Sequence, residues 1–351
     1  MKISTILSVL AAIQALAYPG MDRTLAEIQA RDDAASGNRS TDPLGDVKSD
    51  ALTAVGKIIK DILQGASAVD NTSGYVAPGK LGSSLCIKDP LCVWSYIIHD
   101  MDSKFADTNG CTDLAAGAIR QGFHDAATWD KYSAYGGADG SLLLSDELTR
   151  SENRGLEDIA AQTKTWFDEY RQYGISMADL IQTGAIVATV SCPGGPRIKA
   201  FIGRKDDSRA GPTGKLPLPS QDAQFLINLF AAKTFTASDL IALLGAHTVS
   251  KQKFVDPARA GASQDTTPAI WDTRFYSETI VGDNKTIFIF HSDKSLSNYP
   301  LTKTQFSLFA GASGQALWSP FYAQAYFRMS LLGVNNLNHL TDITKLIPLP
   351  R

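Results

Sequence analysis

Hydrophobic residues recur at the spacing of an amphipathic α-helix along most of this chain. One such run begins at Val93 and places on one side Trp94, Ile97, Ile98, Met101 and Phe105. Further runs predict helices over residues 114–127, 141–147, 156–170, 180–190, 240–247 and 321–332. The alternation typical of a strand is clear only at residues 286–290, and no internal repeat or transmembrane span stands out. The pattern therefore predicts an all-α fold with very little β-structure.

Polar residues mark where three of these helices begin. Ser176 with Asp179, and Thr236 with Asp239, have the spacing of a capping box. Ser319–Pro320 offers an N-cap and a first-turn proline for the aromatic run that follows. We therefore expect helices to start at these three signals.

The first residues follow the pattern of a secretory signal peptide. Lys2 precedes an apolar run from Ile3 to Leu16, and Ala17 completes a small-residue cleavage site before Tyr18. A membrane anchor is the alternative, but the run is too short to span a bilayer. Residues 1–17 are therefore predicted to be a cleaved signal, and the protein to be secreted, extracellular and without a membrane partner.

Residues 18–80 form a polar extension around one amphipathic stretch. Its apolar positions at helical spacing are Val47, Leu52, Val55, Ile58, Ile59, Ile62 and Leu63. Arg31 followed by Asp32 and Asp33 is consistent with a processed propeptide, and an extension with one docked helix is an equal alternative. The main domain is expected to cover residues 81–351.

Composition and charge narrow the class of protein only a little. The 351 residues are 44% hydrophobic and 20% charged, which suits one helical unit or two closely joined lobes. A net charge of -3 gives no reason to expect nucleic acid as a partner.

Secretion makes the cysteines readable as two disulfides, and sequence alone leaves three pairings open. The four cysteines are Cys86, Cys92, Cys111 and Cys192. In the same compartment, three sequons would become acceptors for glycosylation. They begin at Asn38, Asn71 and Asn284.

Arg120 and His124 lie four residues apart in an apolar helical run, so they share a helix face. Such a pair often has only a structural role. Cleavage of a peroxide, however, needs a neutral base that moves a proton between the two oxygens and a fixed cation that stabilises developing charge. His124 and Arg120 are candidates for those roles, and the amide of Asn153 for holding the second ring nitrogen without adding charge.

His247, at the end of a separate helix, is a candidate iron ligand. Gly245 and Ala246 before it are small, which suits a flat cofactor but also ordinary helix packing. A carboxylate on the other ring nitrogen usually makes an axial imidazole more basic, and Asp293 is the downstream candidate; a plain turn residue is the alternative. The two histidines are therefore expected to face one another across a haem.

Two oxygen-rich clusters follow the two histidines. Hard oxygen ligands suit Ca2+, which would stiffen the site, although each residue alone is more often a loop or capping residue. The first cluster contains Asp125, Gly137, Asp139 and Ser141. The second contains Thr248, Asp265, Thr267 and Asp272.

In combination, these motifs make the sequence resemble the fungal secreted haem peroxidases, class II of the plant-fungal-bacterial superfamily. The resemblance covers roughly residues 85–345. Its motifs are Arg120-x-x-Phe123-His124-Asp125, residues 136–141 (GGADGS), residues 191–194 (SCPG), Gly203-Arg204, residues 245–248 (GAHT) and Asp265-x-Thr267-Pro268-x-Ile270-x-Asp272.

The resemblance implies a two-lobed helical fold around one haem b, and a reaction that reduces H2O2. It makes His124 the distal acid/base beside Phe123, Arg120 the transition-state stabiliser, and Asn153 the residue that orients His124. On the other side, His247 is implied as the axial ligand.

The resemblance also implies supporting groups around that haem. Asp293 backs the axial histidine, and two Ca2+ ions occupy the oxygen-rich clusters, the second with the carbonyl of Ile270 as a further ligand. Pairing Cys111 with Cys192 is implied as well, which leaves Cys86 with Cys92.

Departures from the family pattern narrow the range of electron donors that we expect. Manganese-oxidising members carry three carboxylates where this chain has Thr112, Ala116 and Lys253, so a Mn2+ site of that kind is not expected. Lignin-type members place a surface tryptophan where this chain has Ala242. We therefore expect a monomeric peroxidase that takes single electrons from small, phenolic donors at the haem edge.

Two alternatives stay open. A non-catalytic, Ca2+-stabilised secreted binding protein would keep the fold, although the presence of both histidines with Arg120 and Asn153 argues against it. A high-potential peroxidase would use another aromatic, Trp129 or Trp271, although core packing is the commoner role of a tryptophan.

Overall fold

The computed structural model describes residues 41–72 and 74–351. The predicted signal peptide, the Arg31 site and the Asn38 sequon lie outside the described residues. Within them helices dominate and strands are very short, which confirms the predicted mainly α-helical class. The α-helices are α1 (Ala54–Leu63), α2 (Ser84–Lys88), α3 (Pro90–Phe105), α4 (Asp113–Ala126), α5 (Ser141–Leu144), α6 (Glu157–Tyr170), α7 (Met177–Ser191), α8 (Ala223–Ala232), α9 (Ala237–Leu244), α10 (Arg274–Val281), α11 (His291–Asn298), α12 (Lys303–Ala310) and α13 (Gly314–Met329).

Short elements connect these helices. The strands form two antiparallel pairs, β1 (Ala106–Asp107) with β2 (Gly110–Cys111) and β3 (Phe201–Ile202) with β4 (Thr341–Asp342). The 3₁₀ turns are Gly45–Lys48, Glu147–Thr149, Ser151–Asn153, Arg171–Tyr173, Gly245–Val249, Pro257–Arg259, Leu337–His339 and Thr344–Leu346.

The strand predicted at residues 286–290 is wrong, because this segment is irregular. The Arg259 guanidinium donates to the carbonyls of Asn284 at 2.6 Å and Ile287 at 2.8 Å. The amide of Phe288 donates to the carbonyl of Ser263 at 2.8 Å. Because these contacts satisfy backbone polar groups, the segment needs no partner strand.

Helices α4 and α7 form the centre of the core. Every residue of α7 is buried, which explains its nearly continuous apolar composition. The two helices touch at Gly122 of α4, where an added Cβ would lie 2.7 Å from the Cβ of Ala185. Gln182 of α7 also donates to the Gly122 carbonyl at 3.0 Å. This contact fixes the position of His124, two residues further along α4.

Of the two predicted capping boxes, one is complete. Thr236 Oγ1 accepts from the Asp239 amide at 3.0 Å, and the Asp239 carboxylate accepts from the Thr236 amide at 2.8 Å. Ser176 accepts from the Asp179 amide at 3.1 Å, but the Asp179 carboxylate accepts instead from the buried guanidinium of Arg204 at 2.9 Å. The prediction of the reciprocal hydrogen bond at Ser176 is therefore wrong, because the Asp179 carboxylate pairs with a buried cation.

The helix start predicted at Ser319–Pro320 is also wrong. Helix α13 begins at Gly314 and contains Pro320 in its interior. Trp318 lies in the turn before the proline, is fully buried and stacks on Trp271 with ring centroids 5.0 Å apart. Burial of a large aromatic side chain stabilises the helical turns that precede the proline.

The described part of the N-terminal extension packs on the main domain. Thr53 donates from its amide to Asn338 Oδ1 at 3.0 Å and from its hydroxyl to the Asn338 carbonyl at 2.7 Å. Buried residues from this segment include Leu44, Val47, Ile59, Ile62 and Leu63. This packing corresponds to the docked-helix alternative, whereas the boundaries at residues 17 and 80 stay predictions.

Both disulfides have the pairing that the family resemblance implies. Cys86 pairs with Cys92, with Cα atoms 5.1 Å apart, and Cys111 pairs with Cys192, with Cα atoms 4.5 Å apart. The second bridge joins β2, at the entrance to α4, to the end of α7.

No single helix in residues 41–72 and 74–351 is both long and apolar enough to cross a membrane. Within the same part of the chain, α8 taken together with residues 237–249 meets those criteria, and this pair is bent by 106°.

Candidate active site

Helix α4 places Arg120 and His124 one turn apart. The half-buried Arg120 guanidinium donates from Nη1 to the carbonyl of Arg154 at 2.8 Å and from Nη2 to the carbonyl of Glu152 at 3.1 Å. Both acceptors precede α6 and are neutral carbonyls. The guanidinium is therefore fixed in direction while its positive charge is retained.

Asn153 holds the buried imidazole of His124 in one tautomer. Asn153 Oδ1 lies 2.7 Å from His124 Nδ1, and Asn153 Nδ2 donates to the Glu147 carbonyl at 2.7 Å. Because the amide nitrogen already donates to a carbonyl, the amide oxygen faces the ring and accepts a hydrogen bond from Nδ1–H. The lone pair of His124 therefore lies on Nε2.

Burial and charge keep His124 neutral. The pKa of His124 is lowered to about 3, mainly by burial and also by the like charge of Arg120, while the hydrogen bond to Asn153 acts in the opposite direction. Burial lowers the pKa of Arg120 to about 10, which leaves it cationic at neutral pH. The pair thus offers a free base beside a fixed cation, the two groups that proton movement in a peroxide requires.

Phe123 joins α4 to α8 beside the histidine. Its partly buried ring stacks on Phe230 with centroids 6.2 Å apart and an interplanar angle of 8°. It meets the His124 ring edge to face, with centroids 5.6 Å apart. These contacts limit rotation of the neighbouring imidazole.

His247 lies in the 3₁₀ turn Gly245–Val249 and not in the preceding α-helix. The helix predicted through residue 247 ends at Leu244. Gly245 brings this turn so close to the Tyr276 hydroxyl and the Trp318 ring that an added Cβ would collide with both. Tight packing against α10 and α13 therefore sets where His247 points.

The predicted partner of His247 is in place. His247 Nδ1 lies 3.3 Å from each carboxylate oxygen of Asp293, which is fully buried in the first turn of α11. Phe275 and Phe290 meet the imidazole edge to face, with centroids 5.5 Å and 5.8 Å away. The His247 side chain stays 31% exposed.

Sequence reasoning missed Gln264 and the role of Glu147. Gln264 is buried, and its Nε2 donates to Asp293 Oδ2 at 2.8 Å and lies 3.3 Å from His247 Nδ1. Glu147 orients Asn153 through its carbonyl and accepts the Gly211 amide on Oε1 at 2.6 Å. The only sequence signal for Gln264 was its position next to Asp265.

The first oxygen-rich cluster closes around two buried carboxylates. The Asp125 carboxylate accepts the amides of Gly140 at 3.2 Å and Leu142 at 3.3 Å, and Asp139 accepts the Ser141 amide at 3.0 Å. The Ser141 hydroxyl is buried and has no hydrogen-bond partner among the described residues. An unpartnered hydroxyl beside two carboxylates fits the oxygen ligands that Ca2+ prefers.

Gly137 completes this cluster through its backbone. It adopts φ +113°, and an added Cβ would collide with the Leu332 carbonyl, so only glycine fits. The Gly137 carbonyl lies 2.8 Å from the Asp139 amide. This position keeps a carbonyl oxygen next to the Asp139 side of the cluster.

A bound cation would stabilise the two buried carboxylates of this cluster. Burial raises the pKa of Asp125 well above its ordinary range, and the nearby Asp139 raises it further. Burial also raises the pKa of Asp139 to about 6. Within the described residues, no group of three or more His, Cys, Asp or Glu is arranged for a metal ion, so carbonyl and hydroxyl oxygens would complete any such site.

The second cluster also comes together. The Thr248 hydroxyl contacts the Asp265 carboxylate and lies 3.4 Å from the Ile270 carbonyl. The Thr267 amide donates to Asp265 at 2.9 Å, and its hydroxyl donates to Asp272 at 2.9 Å. Burial raises the pKa of Asp265 to about 7, which again indicates a site that a cation would stabilise.

The positions expected to decide the donor have other roles. Thr112 caps α4, with its hydroxyl accepting from the Ala115 amide at 3.3 Å, and Lys253 is exposed. Ala242 is fully buried. Trp271 is also fully buried and fills the core against α13, which corresponds to the core-packing role and not to a surface aromatic that takes up electrons. Trp129 is half-buried.

The two histidines have the hydrogen bonding that a haem site needs. Among the described residues, no hydrogen bond engages Nε2 of either His124 or His247. With Nδ1 facing Asp293, the Nε2 lone pair of His247 is free to bind a metal. This donor set fits a haem iron on the His247 side and a base on the His124 side.

Comparison with known proteins agrees with this donor set. The model of the peroxidase family matches residues 98–312. A low-redox potential peroxidase of Taiwanofungus camphoratus is 32% identical over 54% of this chain, and ligninase LG5 of Phanerodontia chrysosporium is 31% identical over 54%. The chain spans only about half the length of these two relatives, 53% and 52%. A peroxidase of Coprinopsis cinerea is 28% identical over 77% of this chain and 81% of its own length. This chain belongs to the peroxidase family.

Proposed function

We propose that this protein is a haem peroxidase that reduces H2O2 to water and oxidises small, phenolic donors in one-electron steps. The observation that carries the proposal is the 2.7 Å contact from Asn153 to His124 Nδ1, which directs a neutral Nε2 lone pair beside Arg120. Family membership supports a haem cofactor, and the relatives named above as peroxidases support a peroxidase activity.

Haem, when bound, supplies the redox centre that takes two oxidising equivalents from peroxide and passes them to donors singly. The chain itself handles the proton and the charge. His124 Nε2 takes the proton from one peroxide oxygen and returns it to the other, and Asn153 keeps Nδ1 protonated during the transfer. Arg120 stabilises the negative charge that develops as the O–O bond lengthens.

His247 is proposed as the single protein ligand of the haem iron, through Nε2. Asp293 accepts from Nδ1, which fixes the tautomer and orientation of the ring. Phe275 and Phe290 restrict the ring from the sides. These three contacts would hold the His247 ring in the orientation that iron binding requires.

Two Ca2+ ions are proposed for the oxygen-rich clusters. The first would be bound by Asp125, Gly137, Asp139 and Ser141. The second would be bound by Thr248, Asp265, Thr267, Ile270 and Asp272. Asp125 adjoins His124 and Thr248 adjoins His247, so each ion would stiffen one histidine.

The donor and setting are part of the proposal. Thr112, Ala116 and Lys253 offer no carboxylate for Mn2+, so an organic donor is favoured. Two disulfides favour an oxidising, extracellular environment. We expect a monomer that acts in solution without a membrane or nucleic acid.

The test uses the full chain loaded with haem. Wild type is expected to show a Soret band that changes on addition of H2O2 and to oxidise a simple phenol, but not Mn2+ at high efficiency. His124→Leu is expected to slow the reaction with H2O2 by about 10²- to 10⁴-fold, because the positioned base is lost.

Two results would count against the proposal. A near-normal rate with H2O2 in His124→Leu would exclude the assigned base. Absence of any spectral change in wild type would favour the non-catalytic binding protein instead.

A further inference from the structure

The carboxylate of Asp293 is shared among several donors. Its nearest partner is not His247 but Gln264, whose Nε2 donates to Oδ2 at 2.8 Å. His247 Nδ1 lies 3.3 Å away, and the Ser292 hydroxyl lies 3.4 Å from Oδ1. Since shorter hydrogen bonds to a carboxylate are stronger, Gln264 takes a large part of the acceptor capacity of Asp293.

The orientation of the Gln264 amide is fixed by its surroundings. Gln264 is only 1% exposed, so water does not substitute for its partners. Its Oε1 is paired with the hydroxyl of Ser250, and its backbone amide donates to the Ser250 carbonyl at 3.2 Å. A flipped amide would place Oε1 against the Asp293 carboxylate, which is repulsive. The NH2 group therefore faces Asp293.

This arrangement affects His247 directly. If Nε2 binds iron, Nδ1 must carry the remaining proton, and Asp293 is the acceptor that faces it. Gln264 presents only N–H groups on that side and cannot accept a hydrogen bond from Nδ1–H. A carboxylate that already accepts a short hydrogen bond from Gln264 is a weaker acceptor for the Nδ1–H group of His247.

We propose that Gln264 is a positioning residue that weakens the His247–Asp293 hydrogen bond and thereby raises the reduction potential of the haem iron. A less basic axial imidazole gives less electron density to the iron and favours its reduced form. This inference rests on the proposed function, with His247 as the iron ligand. It assigns a role to a residue outside the sequence motifs of the family resemblance.

The test compares three variants of the haem-loaded full chain. Gln264→Met keeps the length and burial of the side chain but removes the amide donor. Ser250→Ala keeps Gln264 but removes the hydroxyl that orients it. The matched control is Gln252→Met, because Gln252 is another buried glutamine in the same region whose Nε2 donates to the Asp256 carbonyl at 2.9 Å.

The readouts are the ferric/ferrous midpoint potential and the iron–histidine stretching frequency of the ferrous protein. Gln264→Met is expected to lower the potential and raise the frequency, because Asp293 then accepts more strongly from His247. Ser250→Ala is expected to shift both in the same directions by a smaller amount. Gln252→Met is expected to leave both unchanged.

Each other outcome has a distinct meaning. A Gln264→Met protein with a normal Soret band and an unchanged or higher potential overturns the inference and leaves the proposed function standing. Equal shifts in Gln252→Met and Gln264→Met also overturn it, since loss of any buried amide would then suffice. A wild-type chain that binds no haem overturns the proposed function, and the inference falls with it.

Discussion

Replacing Asn153 with Leu tests the geometry at His124 most directly. The change keeps a side chain of similar size but removes Oδ1, which accepts from His124 Nδ1, and Nδ2, which donates to the Glu147 carbonyl. The imidazole then has no fixed tautomer, and its pKa falls further because the hydrogen bond to Asn153 opposes the effect of burial. We expect slower proton transfer from peroxide.

The expected size follows from the hydrogen bond that is lost. Leaving a buried donor unsatisfied costs about 1–3 kcal/mol. If that cost appears in the barrier, the rate of reaction with H2O2 falls roughly 5- to 150-fold, because each 1.4 kcal/mol is about a factor of ten. The loss should be smaller than in His124→Leu, which removes the base itself.

The assay is the second-order rate constant for H2O2, followed by stopped-flow at the Soret band. The control is Asn338→Leu, which also removes a buried amide with two partners, in this case Thr53 and Asp46, away from the candidate active site. The control should react at the wild-type rate. If Asn153→Leu stays within about twofold of wild type, or Asn338→Leu slows equally, the proposed role of Asn153 is refuted.

Three further predictions concern charged groups. The pKa of His124 is lowered to about 3, mainly by burial, so the rate of reaction with H2O2 should stay constant as pH falls until the pH nears that value. Because the charge of Arg120 also lowers this pKa, Arg120→Leu should move the decline in a pH–rate profile to higher pH. Burial lowers the pKa of Lys233 to about 8. Between about pH 8 and pH 10.4 the unfolded chain therefore binds more protons than the folded chain, so the free energy of unfolding should rise across this window by about 3 kcal/mol. Lys233→Met should abolish that rise in denaturant titrations. Chelation of Ca2+ should lower the Tm, because Asp125 and Asp139 then repel each other in a buried site; an unchanged Tm would contradict both calcium sites.

Periodicity predicted the existence and faces of most helices, because the side chains that repeat every three or four residues are neighbours on one helix. The start of α13 could not be predicted in the same way. Ser319–Pro320 is a favourable local start, but Trp318 packs on Trp271, far away in the sequence, and the helix extends back to Gly314. The strand predicted at residues 286–290 is wrong for a similar reason, since the distant Arg259 donates to the Ile287 carbonyl.

In the candidate site, too, local features could be predicted from the sequence and tertiary contacts could not. The four-residue spacing of Arg120 and His124 within α4 is a local property, and the sequence was sufficient to place them on one face. Gln264 carried no recognisable pattern, because a glutamine is ordinary in a loop. Only its burial and its contact with Asp293 distinguish it.

By itself, the sequence predicted most of the helical segments and showed which chemical groups are present, because both depend on residue type and local spacing. The tertiary structure decided which groups meet. Asn153 reaches His124 across 29 residues, and Asp293 reaches His247 across 46. Helix packing sets such distances through close contacts like that at Gly122. The division of the Asp293 carboxylate between Gln264 and His247 likewise exists only in the folded chain, because it depends on tenths of an ångström between side chains from three separate segments.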